Sequence, residues 1–411
     1  MSKSIPSDWR VDTLEKFTNS ITVGHVGSTS EFYRNEGILF LRTGNLNSGK
    51  IVLSDLKFIT QEFHESLGKS KLREGDVLVS RVGYTGNAAI VPKGFPEANC
   101  ANIIIIRADE TVHPEYLHSF INSPVAAQQN AAFSVGSAQA VLNTGAIKKL
   151  IAVIPPLPEQ QKISAILTSV DEVIESTQAQ INKLKDLKTG MMQELLTKGI
   201  DHSEFKDSPV GRIPKAWQFK AIGDICKITS GGTPDRATAS FWNGDIPWIK
   251  TGEINYKTIY SAEEYITQDG LKNSSTKLIP AGSVLMAMYG QGITRGKVAI
   301  LGIDACLNQA CLAMLPSVLI DQYFLFYFFS NEYENLRLLV QEGTQKNLNA
   351  SIVKDVIVPL PSIAEQMEIS KRLQSIDNNI NRIQKKVDVT TQLKKALMQD
   401  LLTGKVRVKV N

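Results

Sequence analysis

Apolar residues recur at alternating spacings of four and three along two long stretches of the chain, residues 159–197 and 365–403. The two stretches align without a gap, and sixteen of the 39 aligned residues are identical. We call the recurring positions the seam. Its apolar members are Ile163, Leu167, Val170, Ile174, Ile181, Leu184, Met191 and Leu195 in the first stretch, and Ile369, Leu373, Ile376, Ile380, Ile383, Val387, Leu397 and Leu401 in the second.

This spacing, sustained over about five heptads, predicts two long helices that pair through the seam as a coiled coil. The polar seam residues Lys188 and Lys394 are expected to fix the register at some cost in stability. The pattern leaves one alternative open, in which two separate amphipathic helices each pack on their own domain.

The duplication extends into the segments between the helices. Residues 5–9 (Ile-Pro-Ser-Asp-Trp) are echoed by residues 213–217 (Ile-Pro-Lys-Ala-Trp), and residues 40–46 are echoed by 248–254. Each copy mixes short β-like runs with helical patches, at 114–130 and 319–339, and Gly, Pro and Asn clusters separate them. We therefore predict an α/β protein whose two related globular units alternate with two long helices. Two copies of one helix that meet across a pseudo-two-fold axis run antiparallel, so the expected coiled coil is antiparallel.

Composition describes an ordinary globular protein of 411 residues that is large enough for more than one domain, with 43% hydrophobic and 21% charged residues. A net charge of +4 permits nucleic-acid binding without indicating it. The start of the sequence lacks the apolar core of a secretory signal, and no apolar run reaches eighteen residues. The cysteines show no CxxC spacing, so we expect reduced thiols in a cytoplasmic protein.

The sequence offers no catalytic constellation. It contains no Asn/Asp-Pro-Pro-Tyr/Phe motif for methyl transfer and no GxGxxG turn. Residues 290–297 look superficially like a phosphate loop, but the glycine spacing is wrong and Val298 replaces the hydroxyl residue that would bind magnesium. The five histidines are scattered, and no pair has the spacing of metal ligands on one helix face.

Loops of the two units carry residue types that can read DNA bases, in matching places. Arg and Lys pair with guanine edges, Asn and Gln with adenine, and Glu with the cytosine amino group. The same residue types also keep an ordinary surface loop solvated, so composition alone does not decide between the two roles. The candidates are Arg42, Thr43, Asn45, Arg81, Tyr84, Thr85 and Asn87 in the first unit, and Lys250, Thr251, Glu253, Tyr289, Gln291, Thr294, Arg295 and Lys297 in the second.

A second duplicated feature precedes the proline-rich start of each long helix. It reads Gly-Ser-Ala-Gln at 136–139 and Gly-Thr-Gln-Lys at 343–346. Gln345 and Lys346 are candidates for a DNA phosphate contact. A turn that sets the entry into the helix is an equally good interpretation.

Several short motifs accompany this architecture. Each half opens with Ile-Pro-x-x-Trp, and each long helix begins with Pro-Leu-Pro and a following Glu-Gln and ends in Gln-Glu/Asp-Leu-Leu-Thr. Gly-Gly-Thr-Pro at 231–234 precedes Phe-Trp-Asn-Gly-Asp-Ile-Pro-Trp at 241–248, whereas the first half has Val-Gly-His-Val at 23–26 in place of that turn. In combination, and over nearly the whole chain, the sequence resembles the specificity subunit of type I restriction–modification enzymes.

The resemblance implies two pseudo-two-fold related target-recognition domains, residues 1–154 and 201–358, that each read one half of a split DNA sequence. It implies conserved spacer helices within 155–200 and 359–411 that set the gap and dock two methyltransferase subunits. Those partners carry S-adenosylmethionine, and restriction subunits that use ATP and magnesium can join them. The chain itself is expected to hold no cofactor or metal and to catalyse nothing.

Two other classes of function compete with a DNA-specificity subunit. A self-contained methyltransferase or nuclease would need the motifs that the sequence lacks. A coiled-coil scaffold or adhesin that binds proteins would need neither those motifs nor the matching polar loops, and its failure to bind any duplex would distinguish it.

Overall fold

The computed structural model describes residues 5–81, 86–133, 142–289, 293–341 and 348–410. The chain divides into two compact units, one formed by Met1–Ala179 with Gln384–Asn411 and the other by Gln180–Ile383. Two long helices, α5 (Leu157–Lys198) and α11 (Ile363–Leu401), each contribute residues to both units.

The first unit is built on a four-stranded antiparallel sheet in the order β2-β11-β8-β9 and a mixed sheet in the order β10-β4-β7-β3. Strands β1 and β12 pair antiparallel, as do β5 and β6. The elements are β1 (Arg10–Thr13), β2 (Thr18–Val23), β3 (Tyr33–Arg34), β4 (Ile38–Leu41), β5 (Leu46–Asn47), β6 (Lys50–Ile51), β7 (Lys57–Ile59), α1 (Gln61–Ser66), β8 (Val77–Ser80), β9 (Ala88–Ile90), β10 (Ala98–Cys100), β11 (Ile103–Ala108), α2 (Pro114–Ile121), α3 (Pro124–Phe133), α4 (Thr144–Lys148) and β12 (Ile151–Ile154).

The second unit has a similar order of elements, with an additional β13–β14 hairpin and without a counterpart of the β5–β6 hairpin. Its larger sheet has the order β16-β23-β20-β21-β18, its smaller sheet β19-β17-β22, and β15 pairs with β24 as β1 pairs with β12. The elements are β13 (Phe205–Ser208), β14 (Gly211–Pro214), β15 (Gln218–Ala221), α6 (Ile222–Ile225), β16 (Ile228–Ser230), β17 (Trp242–Ile249), β18 (Thr258–Ile259), β19 (Glu264–Ile266), α7 (Gln268–Lys272), β20 (Val284–Ala287), β21 (Val298–Leu301), β22 (Cys306–Leu307), β23 (Cys311–Met314), α8 (Gln322–Asn331), α9 (Tyr333–Gln341), α10 (Ala350–Lys354) and β24 (Ile357–Leu360).

Residues that repeat in the sequence perform the same local task in both units. Asn143 caps α4 by accepting from the Ala146 amide at 2.8 Å, and Asn349 caps α10 by accepting from the Ile352 amide at 3.0 Å. Thr60 and Thr267 cap α1 and α7 in the same way. The α/β class, with two repeated domains and long helices, is confirmed. The pseudo-two-fold relation and the domain boundaries at 154, 200 and 358 stay predictions.

Each unit has a core that contains residues from one end of α5 and from the opposite end of α11. In the first unit Ile163 and Leu167, near the start of α5, share a core with Met398 and Leu401, near the end of α11. In the second unit the roles are exchanged. Met192, Leu195 and Leu196 from the end of α5 share a core with Ile369 and Leu373 from the start of α11. The two helices therefore run antiparallel within each unit.

The predicted seam faces inward along both helices. All ten seam positions of α5, from Ile163 to Leu195, are buried or half-buried, and the corresponding positions of α11, from Ile369 to Leu401, have the same burial in the same order. Packing of α5 against α11 within each unit favours the coiled coil over two helices that each pack only on their own domain.

The two seam lysines pair with aspartates of the other helix. Lys188 Nζ lies 2.7 Å from Asp377 Oδ1, and Lys394 Nζ lies 2.5 Å from Asp171 Oδ1. These four residues are all half-buried. Because each lysine needs its aspartate at one position on the facing helix, the pairs define a single antiparallel register.

A glutamate at the start of each long helix anchors the segment that follows the other one. Glu365 accepts from the Ile200 amide at 3.0 Å, from His202 Nε2 at 2.8 Å and from Trp217 Nε1 at 3.0 Å. Glu159 accepts from Arg407 Nε at 3.0 Å. Both ends of the α5–α11 pair are therefore held by hydrogen bonds as well as by apolar packing.

The four cysteines are free and buried, and burial raises the pKa of the Cys226 thiol to about 11. No helix among the described residues is long and apolar enough to cross a membrane.

We expect Asp377→Ala to destabilise the protein more than the matched variant Asp171→Ala. Both variants leave a half-buried lysine without its carboxylate, but Asp377 also accepts a 2.7 Å hydrogen bond from the buried Tyr327 hydroxyl. The free energy of unfolding should fall by about 2–4 kcal/mol for Asp377→Ala and by about 1–2 kcal/mol for Asp171→Ala, measured by urea denaturation. Equal losses, or a larger loss for Asp171→Ala, would contradict this.

Candidate nucleic-acid interface

The first predicted DNA-contacting loop of the first unit follows β4 and is closed by Asn45. Arg42 donates its backbone N–H to Asn45 Oδ1 at 3.0 Å, and Asn45 Nδ2 donates to the carbonyls of Val52 and Ser54 at 3.1 and 2.9 Å. Asn45 is only 3% exposed, and Thr43 begins the 3-10 turn that ends at Asn45. The Asn45 amide thus holds the loop together.

The second unit builds the same loop with a different side chain. Thr251–Glu253 form the 3-10 turn after β17, and Glu253 accepts from the Lys250 amide at 2.9 Å and the Glu263 amide at 3.0 Å. Asn45 and Glu253 therefore differ in identity but share a position and a local function. Whether either also contacts DNA stays a prediction.

The basic residue at the start of each loop is paired with carboxylates. Arg42 donates to Asp55 Oδ2 at 2.7 Å, and Lys250 Nζ lies 2.9 Å from Glu264 and 3.0 Å from Glu263. Hydrogen bonds from Arg42, then Lys57, lower the pKa of the Asp55 carboxyl. The carboxylates of Glu264, then Glu263, raise the pKa of Lys250. Asp55 and Lys250 are therefore both charged at neutral pH.

Arg236 extends this network toward two tryptophans. Its guanidinium carbon lies 3.8 Å from the centre of the Trp242 ring and 4.8 Å from that of Trp248, and it forms an ion pair with Glu264. Hydrogen bonds from Arg236, then Lys250, lower the pKa of Glu264. Neither Arg236 nor Trp242 was among the predicted site residues, although Arg236 closely follows the Gly-Gly-Thr-Pro turn and Trp242 belongs to the motif at 241–248.

The second predicted loop of the first unit lies between β8 and β9, and Asn87 ties it to the first. Asn87 Nδ2 donates to the Leu46 carbonyl at 3.0 Å, and Asn87 Oδ1 accepts from the Gly49 amide at 3.3 Å. The Arg81 carbonyl accepts from the Leu142 amide at 3.0 Å, and Arg81 Nε is buried without a hydrogen-bond partner in the described part of the chain. Tyr84 and Thr85 lie outside the described residues.

In the second unit the corresponding loop joins a cluster of two tyrosines and two cations, which we call the tyrosine–cation cluster: Tyr256, Lys297, Tyr333 and Arg337. Lys297 Nζ donates to Asn255 Oδ1 at 2.8 Å and lies 5.8 Å from the Tyr256 ring centre. Arg337 donates to the Tyr333 hydroxyl at 2.6 Å, and that hydroxyl donates to the Ile293 carbonyl, also at 2.6 Å. The two tyrosine rings meet edge to face with centres 6.1 Å apart.

This cluster was only partly predictable. Lys297 was among the predicted residues, and Thr294 sits beside it, with its carbonyl accepting from the Lys297 amide at 3.1 Å. Tyr289 is 39% exposed, and Arg295 lies between Thr294 and Lys297 in the described segment 293–341. Tyr333 and Arg337 lie one helical turn apart on α9, but far in sequence from Tyr256, so no local pattern joins them. Gln291, Gln345, Lys346 and residues 136–139 lie outside the described residues.

One group of residues among those described has the ligand atoms of a metal site. His64, Glu65 and Glu97 offer nitrogen and oxygen atoms within 4.8 Å of one another. Each is already engaged in hydrogen bonds. Buried His64 contacts Glu97 through Nε2 at 2.9 Å and Asn99 through Nδ1 at 3.4 Å, and Glu65 pairs with Lys71 at 2.8 Å. The side chains of His64, Glu65 and Glu97 therefore already have partners within the protein.

The described loops present charged donors, planar guanidinium groups and exposed aromatic rings, without an arrangement of nucleophile, base and oxyanion donors. Such groups can bind phosphates and base edges and can stack on bases. The geometry supports recognition of a nucleic acid.

Comparisons with known proteins agree with this geometry. The family model of the type I restriction modification DNA specificity domain matches residues 6–186 and 214–391. The putative type I restriction enzyme MjaX specificity subunit of Methanocaldococcus jannaschii is 28% identical, over 98% of this chain and 95% of that protein. The MjaVIII specificity subunit of the same organism is 30% identical, over 62% of each chain.

Two solved structures share the fold. One comes from work on complex assembly and conformational transition of the type I R-M system, with a TM-score of 0.63, 18% identity and coverage of 98% of this chain and 100% of the other. The other is the type I restriction–modification S subunit from M. genitalium, with a TM-score of 0.59, 14% identity and coverage of 98% and 97%. Together with the two family-model matches, which span most of both halves, these results show that the chain belongs to the DNA specificity subunits of type I restriction–modification systems.

Proposed function

We propose that the chain reads an asymmetric DNA sequence in two parts, one with each target-recognition domain, residues 1–154 and 201–358. The observation that carries this is the repetition of one fold with different loops. The strand order β2-β11-β8-β9 of the first unit recurs as β16-β23-β20-β21 in the second, yet the units place Arg42 with Asp55 in one loop and Lys250 with two glutamates in the other. Similar frames with dissimilar contact groups suit two different half-sites.

The DNA-contacting groups in this proposal are the predicted loop residues together with Arg236 and the tyrosine–cation cluster. Asp55 and the glutamates hold Arg42 and Lys250 in place in the free protein. DNA phosphates can replace these carboxylates as the partners of Arg42 and Lys250, because a phosphate accepts the same hydrogen bonds as a carboxylate. The tyrosine rings and Trp242 can stack on bases that leave the duplex stack.

The proposed partners are two methyltransferase subunits, which bring S-adenosylmethionine and the methyl-transfer chemistry. Restriction subunits with ATP and magnesium can join them. The chain supplies the DNA sequence specificity of the complex, acts on cellular DNA in the cytoplasm, and needs no cofactor of its own. Membership of the specificity-subunit family supports these partners.

In this proposal α5 and α11 are spacers that set the gap between the two half-sites. The reciprocal pairs Lys188–Asp377 and Lys394–Asp171 support it, because they allow only one register of the helices. A fixed register gives a fixed gap.

Selection of duplexes from a random pool by the purified chain with its methyltransferase partner tests the proposal. We expect recovered duplexes to share two short conserved blocks at a constant separation. Recovery of unrelated sequences, with binding that depends only on salt, would reject sequence recognition. A single uninterrupted block would reject the two-part site.

We predict that Arg295→Ala and Arg81→Ala affect different half-sites. If each side chain contacts a base, each variant should weaken binding by about 1–3 kcal/mol and relax specificity within one block only. Competition binding with duplexes substituted in one block at a time measures this. Equal weakening on every duplex would instead identify phosphate contacts.

We further predict that lengthening both spacers by one heptad widens the gap. Seven extra residues near the middle of α5 and of α11 preserve the seam and add about 10.5 Å, which corresponds to about three base pairs. The selected blocks should keep their sequences while their separation increases. Seven residues inserted in the β13–β14 turn, at Pro209, serve as the control and should leave the gap unchanged; an unchanged gap in the spacer variant would refute the spacer role.

A further inference from the structure

The first unit contains a cavity beside α2, α5 and α11 to which the proposed function assigns no ligand. Its volume is about 490 Å³, within the range of roughly 300–1,000 Å³ that is typical of small-molecule sites. The lining includes Asp171, Lys394, His118, Ser119 and Asn122. The exposed ion pair between Lys50 and Glu175, 2.6 Å apart, lies at its rim.

The second unit shows what occupies the corresponding place there. The match follows from one repeated hydrogen bond: Gln160 Oε1 accepts from the His113 amide, and Gln366 Oε1 accepts from the Asp321 amide, both at 2.8 Å. Six residues further along α2 and α8, the equivalent positions are Ser119 and Tyr327. The fold is thus the same at this point, but the side chains differ by a whole phenol ring.

Tyr327 completes a three-part arrangement in the second unit. Its hydroxyl donates to Asp377 Oδ2 at 2.7 Å, and Lys188 Nζ lies 5.2 Å from its ring centre while binding the same carboxylate at 2.7 Å. Tyr327 is 1% exposed and belongs to the core of that unit. A phenol therefore fits between this lysine, this aspartate and the helix.

The first unit keeps the ion pair and lacks the ring. Lys394 Nζ lies 2.5 Å from Asp171 Oδ1, and Lys188 Nζ lies 2.7 Å from Asp377 Oδ1 in the second unit. Ser119 ends after one heavy atom beyond Cβ, and Lys394 provides the one hydrogen bond that the described residues make to Asp171. An ionised carboxylate has about four acceptor positions, so Asp171 can accept a further hydroxyl.

We propose that this cavity binds a phenol group, with the ring beside Lys394 and the hydroxyl donating to the Asp171 carboxylate. The group is either a free small phenol or the tyrosine side chain of a bound protein. The inference rests on the comparison of the two units and does not depend on DNA recognition. It follows the internal precedent of Tyr327.

His118, on the cavity wall, is compatible with this occupant. Its Nε2 lies 3.0 Å from the Gly49 carbonyl and 3.1 Å from the Ala88 carbonyl, so that nitrogen carries the proton. Burial lowers the pKa of His118, which keeps the ring neutral at pH 7. The imidazole therefore does not compete with Lys394 for Asp171.

Calorimetric titration of the full-length chain with p-cresol, the free form of a tyrosine side chain, tests the proposal. Toluene is the matched control, since it has the same ring without the hydroxyl. We expect saturable binding of one p-cresol and about tenfold weaker binding of toluene, because toluene cannot donate to the carboxylate. Absent p-cresol binding, or equal affinity for both compounds, would overturn it.

The variant Ser119→Tyr tests whether p-cresol binds in this cavity. This change places in the first unit the residue that the second unit has, so p-cresol affinity should fall by at least about tenfold and the melting temperature should rise. Ser119→Met is a second, more flexible blocking variant if the tyrosine variant does not fold. Undiminished p-cresol binding in a folded blocking variant would overturn the assignment.

The same titration on the chain bound to its methyltransferase partner distinguishes the two sources of the phenol. Lost p-cresol binding in the complex supports a partner tyrosine, whereas retained binding supports a free small phenol. Failure of the proposed partnership would leave the measurements on the isolated chain unaffected, so the two proposals fail separately.

Discussion

Each globular core in this chain is closed by side chains from the far end of the other half's helix, and the rest of the structure depends on that exchange. Leu401 of α11 and Leu402, which follows it, are buried in the core of the first unit, while Leu195 and Leu196 of α5 are buried in the core of the second. Burying each leucine contributes about 1.5–3 kcal/mol. The core of each unit is therefore completed by residues from both long helices. The lysine–aspartate pairs then select one register among those that apolar packing would allow.

The sequence predicted the features that repeat at short range or across the duplication. Periodicity alone placed the seam, because a heptad pattern such as that from Ile369 to Leu401 exposes its apolar face unless another helix covers it. The echo of residues 40–46 in residues 248–254 predicted two related globular units. The exchange of core residues at the helix ends was not predicted, since it depends on where each helix ends relative to a distant sheet.

The candidate site was less predictable, because its side chains are brought together by tertiary contacts. Asn45 and Glu253 looked like a divergent pair of base readers, but both side chains close their own loops through bonds to residues several positions away. The tyrosine–cation cluster joins Tyr256 to Tyr333, which no local spacing connects. Similarly, the difference between Ser119 and Tyr327 can be interpreted only once the structure places them near Asp171 and Asp377. In the pairs Asn45–Glu253 and Ser119–Tyr327, the two units share a backbone position and differ in the side chain that makes the contacts.

Genome-wide mapping of methylated adenines, in cells that express the chain with its methyltransferase partner, tests the central claim most directly. Two related units on helices that pair in one register should direct methylation to a split motif whose two blocks differ and whose gap is constant. A contiguous motif, a variable gap, or the absence of any motif although the complex assembles would contradict it.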